Sequence, residues 1–233
     1  MRLLTNVLLF LIVFPVYALD VKTYIPKQAP VYIPFLKLEV NKYTPDINPK
    51  EYFPGLVEQE SCISLTHSRC WNPSSRLQSK RELGIGLSQI TKAFNEDGSI
   101  RFDSLEDMRR RHHNELKQLS WNTIEYRPDL QLRTMVLMTK DNYSRLYQVK
   151  DNIERLKMTD AAYNGGLGGF FKDQRLCGLT KGCDIKQWDN NIELTCSKSK
   201  KPLYGNRNAC DINREHVRNI FDVRMYKYKL YME

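Results

Sequence analysis

Pro49-Lys50-Glu51-Tyr52-Phe53-Pro54-Gly55-Leu56-Val57-Glu58-Gln59-Glu60-Ser61 opens the stretch whose reading decides the fold, and Gly84-Ile85-Gly86-Leu87-Ser88-Gln89-Ile90 closes it. Proline suits the first turn of a helix, so a helix is expected to begin near Pro49. Side chains then step round by about 100° per residue. Phe53, Leu56 and Val57 mark one apolar face, Glu60 falls within it, and Glu58 is expected to point the opposite way, into water. A carboxylate on an apolar face is costly to ionise, and burial favours its protonated form. That is the state a general acid needs. The plainer reading, a glutamate that caps or ion-pairs inside a helical core, also fits this helix.

The neighbours of Glu60 add a second argument. Glu60-Ser61, then Gly86-Leu87-Ser88-Gln89-Ile90, then Ala162-Tyr163-Asn164-Gly165-Gly166 occur in this order at wide separation. The set resembles the lytic transglycosylase family of the soluble, lysozyme-like type, whose signature runs Glu-Ser, Gly-Leu-Met-Gln, Ala-Tyr-Asn-Gly. The resemblance spans residues 34–228. It implies a lysozyme-like helical domain that cleaves peptidoglycan between N-acetylmuramic acid and N-acetylglucosamine, with no cofactor or metal. By position it makes Glu60 the catalytic acid and base, with Ser61, Gln89, Tyr163 and Asn164 as substrate-binding residues. Three departures are visible. The family's methionine is Ser88 here, its usual Gly-Ala pair falls on Leu83-Gly84, and the tyrosine of its closing Tyr-Val helix is His216. The last reads as a partly buried structural histidine.

Glycosidases ordinarily flank the scissile bond with two carboxylates. Glu82, Asp97 and Asp103 are the candidates for a second one, and none lies on a pattern that buries it. A hydrolytic muramidase on the same fold and a non-enzymatic wall-binding protein stand as alternatives.

The expected organisation is a signal peptide over residues 1–18, a proline-rich arm over residues 19–49 and one mainly α domain over residues 50–233. Arg2 precedes a mostly apolar run, Leu3 to Phe14, and Val16-Tyr17-Ala18 reads as a cleavage site. A retained inner-membrane anchor over residues 3–18 is the rival, but the run is short for a span, which takes about 20 residues. Pro26, Pro30, Pro34, Pro45 and Pro49 make residues 19–49 read as an extended arm with one short helix over 35–41. Further on, Ser104 opens a helix toward Leu119, Leu130 to Met138 is apolar on most sides and therefore central, and Gly165-Gly166 ends a helix at Asn164.

A formal charge of +9, or +8 once Arg2 is removed with the leader, suits an anionic polymer. No nucleic-acid recognition motif is present, and the run Arg109 to His113 reads as a solvated helix face. The expected partner is therefore glycan strands, met by a monomeric, exported, periplasmic protein. Cys62, Cys70, Cys177, Cys183, Cys196 and Cys210 form an even set with no paired C-x-x-C spacing, which favours disulfides over zinc. Pairing of sequence neighbours is the economical choice: Cys62 with Cys70, Cys177 with Cys183, Cys196 with Cys210. The mature protein is expected to begin near Leu19. N-terminal sequencing of exported material checks this, and a protein still starting at Met1 would support the anchored alternative.

Overall fold

The structure is a computed structural model that describes residues 20–233. The signal peptide expected over residues 1–18 lies outside the described residues. Among the described residues there are nine α-helices and a small antiparallel sheet, about 51% helix, so the mainly α expectation holds.

Within the arm expected over residues 19–49, the described part, 20–49, is less extended than its prolines suggest. Helix α1 runs Ala29–Tyr43, well beyond the short segment expected. Pro30 sits in its first turn, where a missing N–H costs nothing. Ala29, Ile33, Leu36 and Val40 recur at helical spacing and are all buried in the main core. That burial outweighs the interior Pro34. Arg133 grips Glu39 through two hydrogen bonds of 2.8 and 2.9 Å, which ties α1 to α5 (Pro128–Arg145).

Helix α2, Tyr52–Ser61, is central and buried on nearly every side. Phe53, Leu56 and Val57 are in the core as expected, but Glu58 is fully buried, which corrects its placement in water. The cause is Gly55, one turn earlier on the face of Glu58. Its missing side chain lets the C-terminal segment close in, and a Cβ there would lie 2.9 Å from Met225 Cβ. Glu58 accepts from Arg224 Nη1 at 2.9 Å, from Lys227 Nζ at 2.9 Å and from Tyr228 Oη at 2.5 Å. The buried charge is thereby paired and hydrogen-bonded, as burial requires.

After α2 comes a sheet that the sequence pattern did not announce. Strands β1 (Arg76–Gln78), β2 (Glu82–Ile85), β3 (Ile90–Phe94) and β4 (Ile100–Asp103) pair in sequence order, all antiparallel. Ile85 pairs with Ile90, so Gly86-Leu87-Ser88-Gln89 is the turn between β2 and β3. Ile85 and Ile90 pack with Leu105, Leu119, Ile124 and Leu130 in a second, smaller core.

Helix α3, Ser104–Arg111, breaks at His112 and resumes as α4, His113–Leu116. Its cap is Asp103, whose carboxylate accepts from the Glu106 N–H; the Ser104 hydroxyl bonds to Thr91 instead. Helix α5 is central as expected. Helix α6 (Asn152–Gly165) ends at Gly166, whose φ of 77° favours glycine. Helix α7 (Leu167–Gly178) follows. Short strands β5 (Pro202–Tyr204) and β6 (Arg207–Asn208) lead to α8 (Ala209–Arg218), opened by an Asn208–Asp211 capping box. A π-helical turn, Asn219–Arg224, carries the chain toward α9, Lys229–Met232.

All three disulfides join the expected neighbours: Cys62–Cys70, Cys177–Cys183 and Cys196–Cys210. Among the described residues no helix is long and apolar enough to cross a membrane. The disulfides fit an exported protein.

Removing one partner of a buried ion cluster leaves the others unpaired. Glu58→Gln is therefore expected to destabilise the fold by about 3–5 kcal/mol. Urea unfolding at neutral pH measures this, and an unchanged midpoint would contradict the described cluster.

Candidate active site

A cleft of about 1530 Å³ runs between the helical core and the sheet. Glu60 and Ser61 reach it from the end of α2, Gln89 from the β2–β3 turn, and Tyr163 and Asn164 from the end of α6. Three segments distant in sequence thus meet at one opening.

The turn that carries Gln89 is held from below by Gln131 of α5, which is fully buried. Its Oε1 accepts from the Leu87 N–H at 2.7 Å, and its Nε2 donates to the Pro73 and Ile124 carbonyls at 3.0 and 2.6 Å. Gly86 has φ of 88°, and a Cβ on it would stand 2.2 Å from Gln131 Oε1. Glycine is needed there for conformation and for space. Ser88, where the resembled family has methionine, is buried and donates to the Gln131 carbonyl at 3.1 Å. Gln89 sits at φ of 44° and turns its Nε2 back onto the Gly86 carbonyl at 3.0 Å.

The two walls touch through Tyr163, whose hydroxyl donates to the Ser88 carbonyl at 2.9 Å. Burial raises its pKa well above the ordinary value, and the negative charges of Glu60 and Asp160 add to that. Asn164 is exposed, and its Oδ1 accepts from Asn213 Nδ2 at 3.0 Å. Ser61 differs from its expected role. Its hydroxyl is buried, donates to the Val57 carbonyl at 2.7 Å and accepts from the Trp71 N–H at 3.0 Å. Both bonds are to backbone, so the hydroxyl closes α2 onto the Trp71 loop.

Glu60 is not surrounded by apolar groups alone. Its Oε1 lies 2.7 Å from Nε2 of His216 on α8, and Nδ1 of the same ring lies 2.8 Å from Oδ2 of Asp160 on α6. Tyr52 donates to the other Asp160 oxygen at 3.0 Å. Burial opposes a charge on His216, but Asp160 and then Glu60 outweigh it and raise the pKa from 6.5 to about 10. His216 is therefore an imidazolium at neutral pH, donating from both nitrogens. Glu60 thus meets a buried cation as well as the apolar face expected for it.

His216, Asp160 and Tyr52 were not among the sequence-derived candidates. Asp160 had a usable signal: it lies three residues before Tyr163, on the same helix face, beside Met158, Ala161 and Ala162. Of the possible second carboxylates, Glu82 and Asp103 line the cleft and Asp97 does not. Glu82 accepts from Tyr204, and Asp103 is engaged by Trp121, Lys92 and the start of α3. Asp97 lies in the exposed β3–β4 turn, where Ser99 lowers its pKa. Among the described residues no group of three or more His, Cys, Asp or Glu is arranged to hold a metal ion.

No protein-family model, no curated protein and no solved structure matches this chain.

The raised His216 pKa has a definite sign for stability. Its contribution is complete below about pH 6.5, the unfolded value, and is lost as pH rises through about 10. Asp160, Glu60, Tyr52 and Tyr163 are the titratable groups around it. Wild-type unfolding free energy should therefore decline across that window more steeply than that of His216→Gln. Chemical denaturation at several pH values measures both slopes, and parallel curves would contradict a charged His216.

Proposed function

We propose that this protein is a peptidoglycan lytic transglycosylase with a lysozyme-like arrangement of helices, acting as a monomer on glycan strands in the periplasm. One observation carries the reading: Glu60, Gln89, Tyr163 and Asn164, from three separated motifs, converge on one cleft. Arg69, Arg81, Arg101 and Lys198 lie along the cleft. Such a positive surround suits an anionic wall polymer.

In this reading Glu60 works through Oε2, which accepts no hydrogen bond among the described residues, while Oε1 is held by His216. When Oε2 carries a proton, Glu60 gives it to the glycosidic oxygen as the C1–O bond breaks. The resulting carboxylate takes the proton of the muramyl 6-hydroxyl, whose oxygen closes onto C1. The products are a free 4-hydroxyl and a 1,6-anhydro sugar, so no water is consumed. The attacking hydroxyl belongs to the substrate and is tethered near C1, which removes the need for a second flanking carboxylate. Gln89 keeps Oε1 for a sugar hydroxyl, and Asn164 keeps its amide nitrogen.

Glu60→Gln retains the shape and loses the exchangeable proton. It should reduce muropeptide release by at least about 10²- to 10⁴-fold, while Tyr163→Phe and Gln89→Ala reduce it less. Digestion of purified sacculi with mass analysis of the products is the test, with circular dichroism as the folding control. Products lighter by one water than the hydrolytic ones are expected. Full activity of Glu60→Gln would end the assignment, and unshifted masses would identify a hydrolytic muramidase.

A further inference from the structure

Glu60 is the residue on which the proposed reaction turns, yet its carboxyl group does not stand alone. Helix α8 places His216 against it, and α6 places Asp160 behind His216. The imidazole is 4% exposed and Asp160 is fully buried, so neither meets substrate directly. Both ring nitrogens are occupied, by Oε1 of Glu60 and Oδ2 of Asp160. Tyr52, on the same helix as Glu60, fills the remaining oxygen of Asp160. A buried chain from Tyr52 through Asp160 and His216 thus ends at Glu60, with one carboxylate oxygen left over at the cleft.

We propose that His216 is the positioning residue of the Glu60 site. Its Nε2–H fixes Oε1 and leaves Oε2 as the oxygen that exchanges the proton, while Asp160 and Tyr52 hold the ring in that orientation. The inference rests on the lytic transglycosylase reading and extends it to groups that touch no sugar. His216 keeps both its protons throughout. When Oε2 gives its proton to the glycosidic oxygen, the new carboxylate forms beside a cation already in place, with no reorganisation at that moment. When Oε2 takes the proton of the 6-hydroxyl, the site returns to its starting state. Fixing the rotamer contributes as well, because misplacement of a reacting group by about 1 Å costs on the order of 10²-fold in rate.

The same geometry makes pH the informative variable. The charged and titratable groups facing His216 are Asp160 and Tyr163 of α6 and Glu60 and Tyr52 of α2. Replacing the imidazolium by a neutral amide removes a positive charge from beside Glu60. An opposite charge at such range moves a titration by about one to three pH units.

The experiment compares intact wild type, His216→Gln and Asp160→Asn by kcat and KM of muropeptide release from sacculi across pH, and by NMR titration of the His216 ring. His216→Gln is expected to lower kcat by about 10²-fold with KM nearly unchanged. It is also expected to move the alkaline limb of the kcat profile upward by about one unit or more. Wild-type His216 should stay doubly protonated at pH 8, and in Asp160→Asn it should lose its proton at lower pH. The NMR arm stands even if His216→Gln fails to fold. A limb that stays in place in an active, folded His216→Gln overturns the proposal, as does a neutral His216 in wild type at pH 7. A wild type that releases no muropeptide, with His216 charged, instead overturns the enzymatic reading beneath it.

Discussion

A buried imidazolium held between two carboxylates constrains this molecule more than any other contact described. His216 can remain charged out of water only if Asp160 and Glu60 stay within hydrogen-bond reach, which fixes α8 against both α6 and α2. Tyr52 draws α2 onto α6 a second time through Asp160. Asn213, one turn before His216, donates to the Ala161 carbonyl at 2.9 Å and so sets the depth at which α8 lies on α6. Gly165 permits that approach, since a Cβ there would fall 2.9 Å from the Asn213 amide nitrogen. Helix packing and the position of the cleft carboxylate are thus one requirement met by one cluster.

The opposite wall depends on a neutral group. Gln131 spends its amide on the Leu87 N–H and on the Pro73 and Ile124 carbonyls, all of which a small sheet would otherwise leave for water. Unpaired buried backbone groups are costly, so this single side chain lets a short hairpin turn sit deep beside the core. Tyr163 then joins the turn to α6. Each wall of the cleft is thereby stiffened from behind.

Much of the helical frame was legible from pattern. Leu130 to Met138 announced a central helix, and Gly165-Gly166 announced its neighbour's end, because periodicity and glycine conformation are local properties. Leu105, Met108, Leu116 and Leu119 are all buried as the spacing implied, although the helix breaks at His112. What failed was non-local. The strands of the four-stranded sheet are three to five residues long, and β1 and β4 are largely exposed, so alternation has no room to show. Glu58 was misplaced because a helical wheel assigns a polar side without knowing what covers it. Here Arg224, Lys227 and Tyr228, more than 160 residues onward, convert that side into interior. His216 was read as structural for the same reason: its partners lie 56 and 156 residues away. The motif residues that reach the cleft were found by resemblance, and the chain behind them emerged only from the packing.

The disulfides carry a consequence of a different kind. Each closes a short loop, with sequence separations of 8, 6 and 14 residues, so none joins distant parts of the fold. Loop-closure entropy grows with loop length, and such bridges constrain the unfolded chain over short spans only. Cys62–Cys70 follows Glu60 directly, and Cys196–Cys210 encloses Lys198, Leu203 and Tyr204 of the cleft lining. The helical core contains its own long-range ties, and these two bridges add covalent links at the rim of the cleft. Oxidation therefore acts on the outline of the cleft more than on the assembly of the helical core.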